Sequence, residues 1–309
     1  MTSSCAFAGL SDPATIASDI EDIGALHDAA VRNGCKTYKD PKTGYNVFTA
    51  ECLRERGKCC GCGCRHCPFN HENVSLEKRA SRISAPAMLH GSLDSLAVAG
   101  EIDLLFWSGG KDSFLAARAL CRERGGTQNL LLLTTFDAGS RQVAHQEVQI
   151  AQVVRQAESL GVPLIGCPLW PHIPYTERIA SALQLAASTC AVRRVCNGDL
   201  HLEHIAAWRE EHIKPLATAI GAQLHAPLFR VPYPSLLADL ERSGVPCRVC
   251  AATGDHPAAV GEVFNATLVA KLQQASPPID AFGENGEFHT LAETWAGSSG
   301  HPLLVQLAE

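Results

Sequence analysis

The chain has 309 residues, of which 46% are apolar and 19% charged, with a formal net charge of −6. That describes a globular protein with a sizeable core, and the acidic balance argues against a general nucleic-acid grip, which needs a basic face. No apolar run approaches the about 18 residues of a membrane span, and residues 1–30 carry Asp12, Asp19, Glu21 and Asp22 but no Lys or Arg, unlike a secretory or organellar leader.

Fourteen cysteines is a high count, and five of them (Cys59, Cys60, Cys62, Cys64 and Cys67) fall within nine residues. Such crowding in a chain of this size points to metal or redox chemistry rather than a disulfide scaffold. A reducing compartment, most simply the cytoplasm, is the expected location.

In chain order, residues 1–28 read as a weakly patterned leader, with one short helix expected from about Ile16 to Val31. Residues 29–78 form a cysteine-rich module, in which DPKTGY (40–45) is a turn cluster and YNVFTA (45–50) a short strand. Residues 79–100 mix small, polar and apolar side chains without a period and read as a linker with room for one helical turn. From Ile102 a regular alternation begins. IDLLFW is a buried strand, FLAARALCRERGG a helix with a glycine stop, LLLLTTF a second strand, and 143–161 a helix. VPLIGCPL is a third strand, TERIASALQLAAS a helix and RRVCNGD a fourth strand. The helix over 202–221 should kink at Pro215, before a fifth strand in QLHAPLF, a short helix over Ser235–Arg242 and a strand-like VPCRVCA. Strands alternating with helices at this spacing specify an α/β fold with a mainly parallel sheet over residues 101–309.

The stretch SGGKDS (108–113) sits between the first of these strands and its helix, where ligands bind in open α/β sheets. It is not a Walker loop, because the position six before Lys111 is Leu105 and Lys111 is followed by Asp112. Gly109 and Gly110 permit a tight turn that aims amide N–H groups at an anion, Ser108 and Ser113 add hydroxyls, and Lys111 adds a charge for a phosphate oxygen. A carboxylate at Asp112 beside phosphate is unfavourable unless a cation such as Mg²⁺ lies between them.

These residues resemble the PP-loop of the N-type ATP pyrophosphatases, whose fold is Rossmann-like (adenine nucleotide alpha hydrolase-like). Two further stretches, 195–229 and DAFGENGEFHT (280–290), resemble motifs of the diphthine–ammonia ligase family within it, and LLTTF after the second strand also fits. The resemblance implies ATP and Mg²⁺ as cofactors and cleavage of ATP between its α and β phosphates. It also implies adenylation of an acceptor carboxylate, in that family diphthine on elongation factor 2, followed by amide formation with ammonia. Carried over residue by residue, it assigns Ser108, Gly109, Gly110, Lys111 and Ser113 to pyrophosphate and Asp112 to the metal. Thr134 and Thr135 go to the nucleotide, Asp199 and Glu203 to the mouth of the fourth strand. Glu284, Asn285, Glu287 and His289 go to the acyl or ammonia site, with Lys111, Asp112, Asp199 and Glu287 as the catalytic set. The alternatives are that Asp199 caps the next helix and that GENGE is an ordinary turn. His201, His204 and His212 read as helix histidines, not ligands. After EFHT the chain runs LAETWAGSSGHPL, where those ligases continue with an aspartate–glycine–proline element, so the acceptor pocket differs.

In the module, Cys64 and Cys67 have metal-knuckle spacing, and Cys60 with a further Cys or His, Cys59 foremost, completes a tetrahedral site for zinc, or for an iron–sulfur cluster with the same ligands. His66 and His71 lie nearby, and Cys62 ranks below the others. The stretch from Tyr38 to His71 resembles a short cysteine-rich domain of unknown function. Cys247-x-x-Cys250 raises a competing reading, a PP-loop enzyme that thiolates tRNA, and an ATP-binding scaffold without turnover is a third.

Overall fold

The structure is a computed structural model that describes residues 25–41, 45–69, 72–74, 85–98, 100–138, 140–143, 148–170, 173–254, 257–277, 279–296 and 300–305. The leader over 1–24 and His71 therefore lie outside the described residues, and of the amino-terminal helix only 25–32 is described.

The cysteine-rich stretch opens with a hairpin of β1 (Thr37–Lys39) and β2 (Asn46–Phe48), antiparallel, on either side of the expected turn cluster. A short helix α1 (Ala50–Arg54) follows, and the Thr49 hydroxyl caps it by accepting from the Cys52 N–H at 3.3 Å. The thiols then occupy an irregular stretch after α1.

The main body is a six-stranded sheet in the order β3-β6-β5-β4-β7-β8. Its parallel strands are β4 (Ile102–Phe106), β5 (Leu130–Asp137), β6 (Leu164–Leu169), β7 (Val192–Cys196) and β8 (Gln223–His225). Their runs of Leu, Ile and Val are buried on both faces, as parallel strands covered by helices must be. On one face, Phe114, Leu115 and Leu120 of α3 (Lys111–Arg124) pack with Val153 and Ala157 of α4 (Ile150–Leu160). On the other face, Ile179 and Leu183 of α5 (Tyr175–Ala187) pack on Leu131, Leu133 and Ile165.

The stretch expected to be a linker contributes instead to the sheet. β3 (Ala87–His90) pairs antiparallel with β6 at the sheet edge, and α2 (Leu93–Ala97) buries Leu93 and Leu96 against the second core. Four residues are too few to show a period, and pairing at the edge supplies the order that composition did not reveal. The helix expected over 143–161 begins only at Ile150, because the Val143 N–H is taken by the Val148 carbonyl at 2.9 Å. Instead of a kink at Pro215 the helix breaks in two: α6 (Glu203–His212) ends before Ile213, and α7 (Lys214–Ala219) restarts with proline in its first turn.

Beyond α8 (Tyr233–Ser243), β9 (Cys247–Ala252) leaves the main sheet. It pairs antiparallel with β10 (Phe288–Ala292), and α9 (Ala266–Gln273) lies between them in sequence. This two-stranded sheet packs on the α3 face of the core. Arg118, fully buried on α3, ties α8 and the 301–305 turn to α3: it forks onto Asp239 at 3.2 and 2.9 Å and donates to the carbonyls of Pro302 and Val305. Among the described residues no helix is long and apolar enough to cross a membrane.

Candidate functional site

Strand order reverses beside β4: β5 and β6 lie to one side of it, β7 and β8 to the other. The loops leaving the carboxyl ends of β4 and β7 therefore diverge and leave a crevice, the position at which open α/β sheets take ligands. A cavity of about 240 Å³ occupies it, lined by Ser108, Lys111, Asp112, Asp199, Glu284 and His289 among others. Gly198 lets the β7 loop press on the start of α3, since a Cβ there would come within 2.9 Å of the Asp112 carbonyl group.

The 108–113 loop turns tightly against buried support. Gly109 has φ +83°, a conformation that favours glycine. Its carbonyl accepts from Gln156 Nε2 at 2.8 Å and from the Ala292 N–H at 2.9 Å. Gln156 also donates to the Ala292 carbonyl at 2.7 Å and accepts from the Trp107 indole at 2.9 Å, so one fully buried amide fixes both the loop and β10. Ser108 Oγ accepts from the Gly110 N–H at 3.3 Å and lies 3.3 Å from Ser113 Oγ, which donates to the Gly110 carbonyl at 3.0 Å. Gly110 begins the 14-residue α3 without a side-chain cap, so the positive end of that helix faces the cavity.

Charge in the cavity wall is largely spoken for. Lys111 Nζ donates to Asp112 Oδ2 at 2.9 Å, and the Lys111 side chain is only 4% exposed. Arg209 forks onto both oxygens of Asp199, and its guanidinium sits 5.6 Å from the Phe106 ring. Asp112 Oδ1 is buried and has no hydrogen-bond partner among the described residues. Burial pushes the Asp112 carboxyl above the usual carboxylate range, against the pull of Lys111, and Glu284 and Asp280 add to the rise. An orphaned carboxylate oxygen in a polar crevice is the donor that a hard cation takes, so Asp112 fits Mg²⁺, which binds through one or two carboxylates and keeps several waters.

Across the cavity, the 280–287 turn is closed by Asp280 Oδ1, which accepts from the N–H groups of Phe282 at 2.9 Å and Glu284 at 3.0 Å. Glu284 accepts from the His201 N–H at 2.9 Å and from the Tyr233 hydroxyl at 2.6 Å. The same hydroxyl lies 2.9 Å from Asp280 Oδ2. Burial and its two carboxylate partners push the Tyr233 phenol far above its ordinary range.

The structure therefore brings Ser108, Gly110, Lys111, Asp112, Ser113, Thr135, Asp199, Glu284 and His289 onto one cavity, with Gly109 behind it as the turn. It separates four others. Glu203 opens α6 as an exposed residue paired with Arg230 at 2.7 Å. Thr134 points to the opposite face of β5 from Thr135 and is fully buried, its hydroxyl without a partner among the described residues. Glu287 turns into its own loop, accepting from the Asn285 N–H at 3.1 Å, and Asn285 is exposed. Asp199 does not cap α6, whose N-cap is Leu202. His201 precedes that helix and contacts Glu284, rather than standing as a bystander on it. Sequence reasoning passed over Gln156 and Tyr233, single polar residues whose partners are distant in the chain, and Arg209, whose partner Asp199 lies just before the same helix.

The clustered thiols stand as two contacting pairs, Cys60 with Cys64 at 3.3 Å and Cys59 with Cys67 at 3.8 Å. Among the described residues, no three His, Cys, Asp or Glu side chains converge on a point that could hold a metal. His66 is committed elsewhere, its Nε2 lying 2.7 Å from the Tyr38 hydroxyl and its ring stacked on His27 at 3.9 Å. Cys247 and Cys250 alternate out of phase along β9, one buried and one half-buried. Burial pushes the Cys247 thiol far above its ordinary range, which makes it a poor sulfur donor.

Two comparisons bear on these parts. Residues 26–73 match a family of unknown function (DUF5522). Among solved structures, the chain is similar to a predicted subunit of tRNA methyltransferase from Methanocaldococcus jannaschii, at 18% identity and a TM-score of 0.33, over 48% of this chain and 80% of that one. Likeness at that level says nothing about activity.

Proposed function

We propose that this cavity binds ATP with its phosphates on the 108–113 loop and that the chain is an AMP-forming amide ligase of the diphthine–ammonia ligase type. The observation that carries the reading is the orphaned Asp112 Oδ1 in the first turn of α3 at the strand-order reversal. The loop's N–H groups and the Ser108 and Ser113 hydroxyls bind the β and γ phosphates. Asp112 would hold Mg²⁺, which supplies charge neutralisation at the leaving pyrophosphate when bound.

A carboxylate oxygen of the acceptor attacks the α-phosphorus, the α–β bond breaks, and pyrophosphate leaves with the bonding pair. Ammonia then attacks the acyl carbon, the acyl–phosphate bond breaks, AMP leaves, and a proton passes to the carboxylate wall at Glu284. The protein's contribution is mainly to hold the reactants in line and out of bulk water. The acceptor is a carboxylate compound, protein-bound diphthine being the candidate implied by the resemblance. Product analysis tests the reading: AMP and pyrophosphate support it, whereas ADP and phosphate, or no turnover with any carboxylate acceptor, would remove it.

A further inference from the structure

A lysine inside a phosphate loop is ordinarily read as a phosphate ligand, and the surroundings of Lys111 do not suit that role. Its ammonium lies 5.4 Å from the ring centres of Phe264 and Phe282 and 5.6 Å from that of Phe288, all three on the carboxy-terminal segment. These rings are themselves packed edge-to-face and tilted at 5.2 Å and 5.9 Å. The distances are within the range over which a cation is attracted to a ring face. The fourth neighbour of the ammonium is Asp112 Oδ2 at 2.9 Å. Lys111 also gives its backbone N–H to the Thr290 hydroxyl at 3.1 Å. A lysine ammonium is strongly hydrated, and holding it at 4% exposure is tolerable because three rings and one carboxylate replace its water. Reaching a phosphate would require it to leave all four.

We infer that Lys111 is a positioning residue: boxed by Phe264, Phe282 and Phe288, its ammonium holds Asp112 Oδ2 and so fixes the Asp112 carboxylate in the first turn of α3. Two of the three rings flank the GENGE turn, so the phosphate loop and the opposite wall share this one cation. The inference rests on the nucleotide reading above for its purpose, but not for its test.

The test is a double-mutant cycle on the full-length chain with Lys111→Met, Asp112→Asn and the double variant, with folding checked by thermal melting. Methionine keeps an apolar stem inside the box and removes the charge. The readout is affinity for Mn²⁺ with α,β-methylene-ATP, which cannot be cleaved at the α–β bond. Each single variant is expected to weaken binding, Lys111→Met by about fivefold or more, and the double variant to bind within about twofold of Asp112→Asn alone. A double variant weaker by the product of the two single effects, or a Lys111→Met as tight as wild type, overturns the inference. Should Lys111→Met fail to fold, Phe282→Leu opens one wall of the box and is expected to show the same non-additivity with Asp112→Asn; additivity there counts against it equally. If wild type binds no nucleotide, the ligase reading fails, while the same cycle with Mn²⁺ alone still reports on Lys111.

Discussion

The Gln156 amide occupies the space that a side chain at Gly109 would need: a Cβ there would stand 2.7 Å from Gln156 Oε1, while Nε2 donates to the Gly109 carbonyl at 2.8 Å. The 108–113 loop is thus shaped by a residue of the next helix, not by its own sequence alone. Gln156→Leu leaves the Gly109 and Ala292 carbonyls and the Trp107 indole short of partners in a buried place. Urea unfolding should show a loss of about 2–4 kcal/mol, since each orphaned buried group costs about 1–3 kcal/mol. Unchanged stability would show that the amide is replaceable by packing.

Tyr233→Phe removes one hydroxyl shared by Glu284 and Asp280 and keeps the ring stacked on Phe282 at 4.4 Å. Stability should move little, nucleotide affinity should hold within about twofold, and amide formation should fall by about tenfold or more, as for loss of a proton-handling group. Equal rates in the two proteins would detach Tyr233 from the chemistry.

Glu203 and Glu284 are both acidic members of sequence motifs, yet only Glu284 lines the cavity. Glu203→Ala breaks an exposed pair with Arg230 and is expected to change stability by less than about 1 kcal/mol with no change in nucleotide binding. Glu284→Gln is expected to abolish product formation. A reversed ranking of the two in a turnover assay would contradict the geometry.

Arg118 and Asp239 set an acid limit on stability. Burial alone would raise the Asp239 carboxyl, but Arg118 and Arg122 outweigh it and hold the group below its usual value. A depressed folded pKa contributes stability that is fully present above the unfolded carboxylate value, about 3.9, and is lost as pH falls through the lower folded value. Wild type should therefore lose stability below about pH 4 more steeply than Asp239→Asn, which is already destabilised at pH 7 by about 3–5 kcal/mol through the uncompensated arginine. Parallel acid profiles would remove this pair from the account.

The thiol cluster should alkylate in a fixed order. The Cys62 backbone N–H and the Cys64 thiol draw the exposed Cys60 down to about 7, whereas burial and the Cys60 contact push Cys64 up to about 11. At pH 7.5, iodoacetamide with peptide mapping should label Cys60 well before Cys64 and before the buried Cys247, with no chelator required. Labelling that appears only after a chelator is added would instead mean that the two thiol pairs close on a metal.

Much of the fold could be read from the chain, because strands β5 and β6 are apolar runs, β4 is nearly so, and the strands are bounded by turn residues and separated by helical periods. The loop was readable for the same reason: SGGKDS sits where a strand hands over to a helix. The edge strand β3 was not, since four residues carry no period and its partner β6 lies far along the chain. Side-chain direction was also beyond the motifs. Adjacent Thr134 and Thr135 fit one pattern equally, yet the pleat sends them to opposite faces. Lys111 reads as a phosphate lysine until Phe264, Phe282 and Phe288 fold over it, a contact made only in three dimensions.

The most direct measurement is exchange of labelled pyrophosphate into ATP, with a carboxylate acceptor and Mg²⁺, by wild type and Asp112→Asn. Acceptor-dependent exchange by wild type, reduced by about a hundredfold or more in Asp112→Asn, is the expected result for reversible α–β cleavage at this loop. ATP bound at the loop with no exchange under any acceptor, or exchange that Asp112→Asn leaves intact, would contradict it.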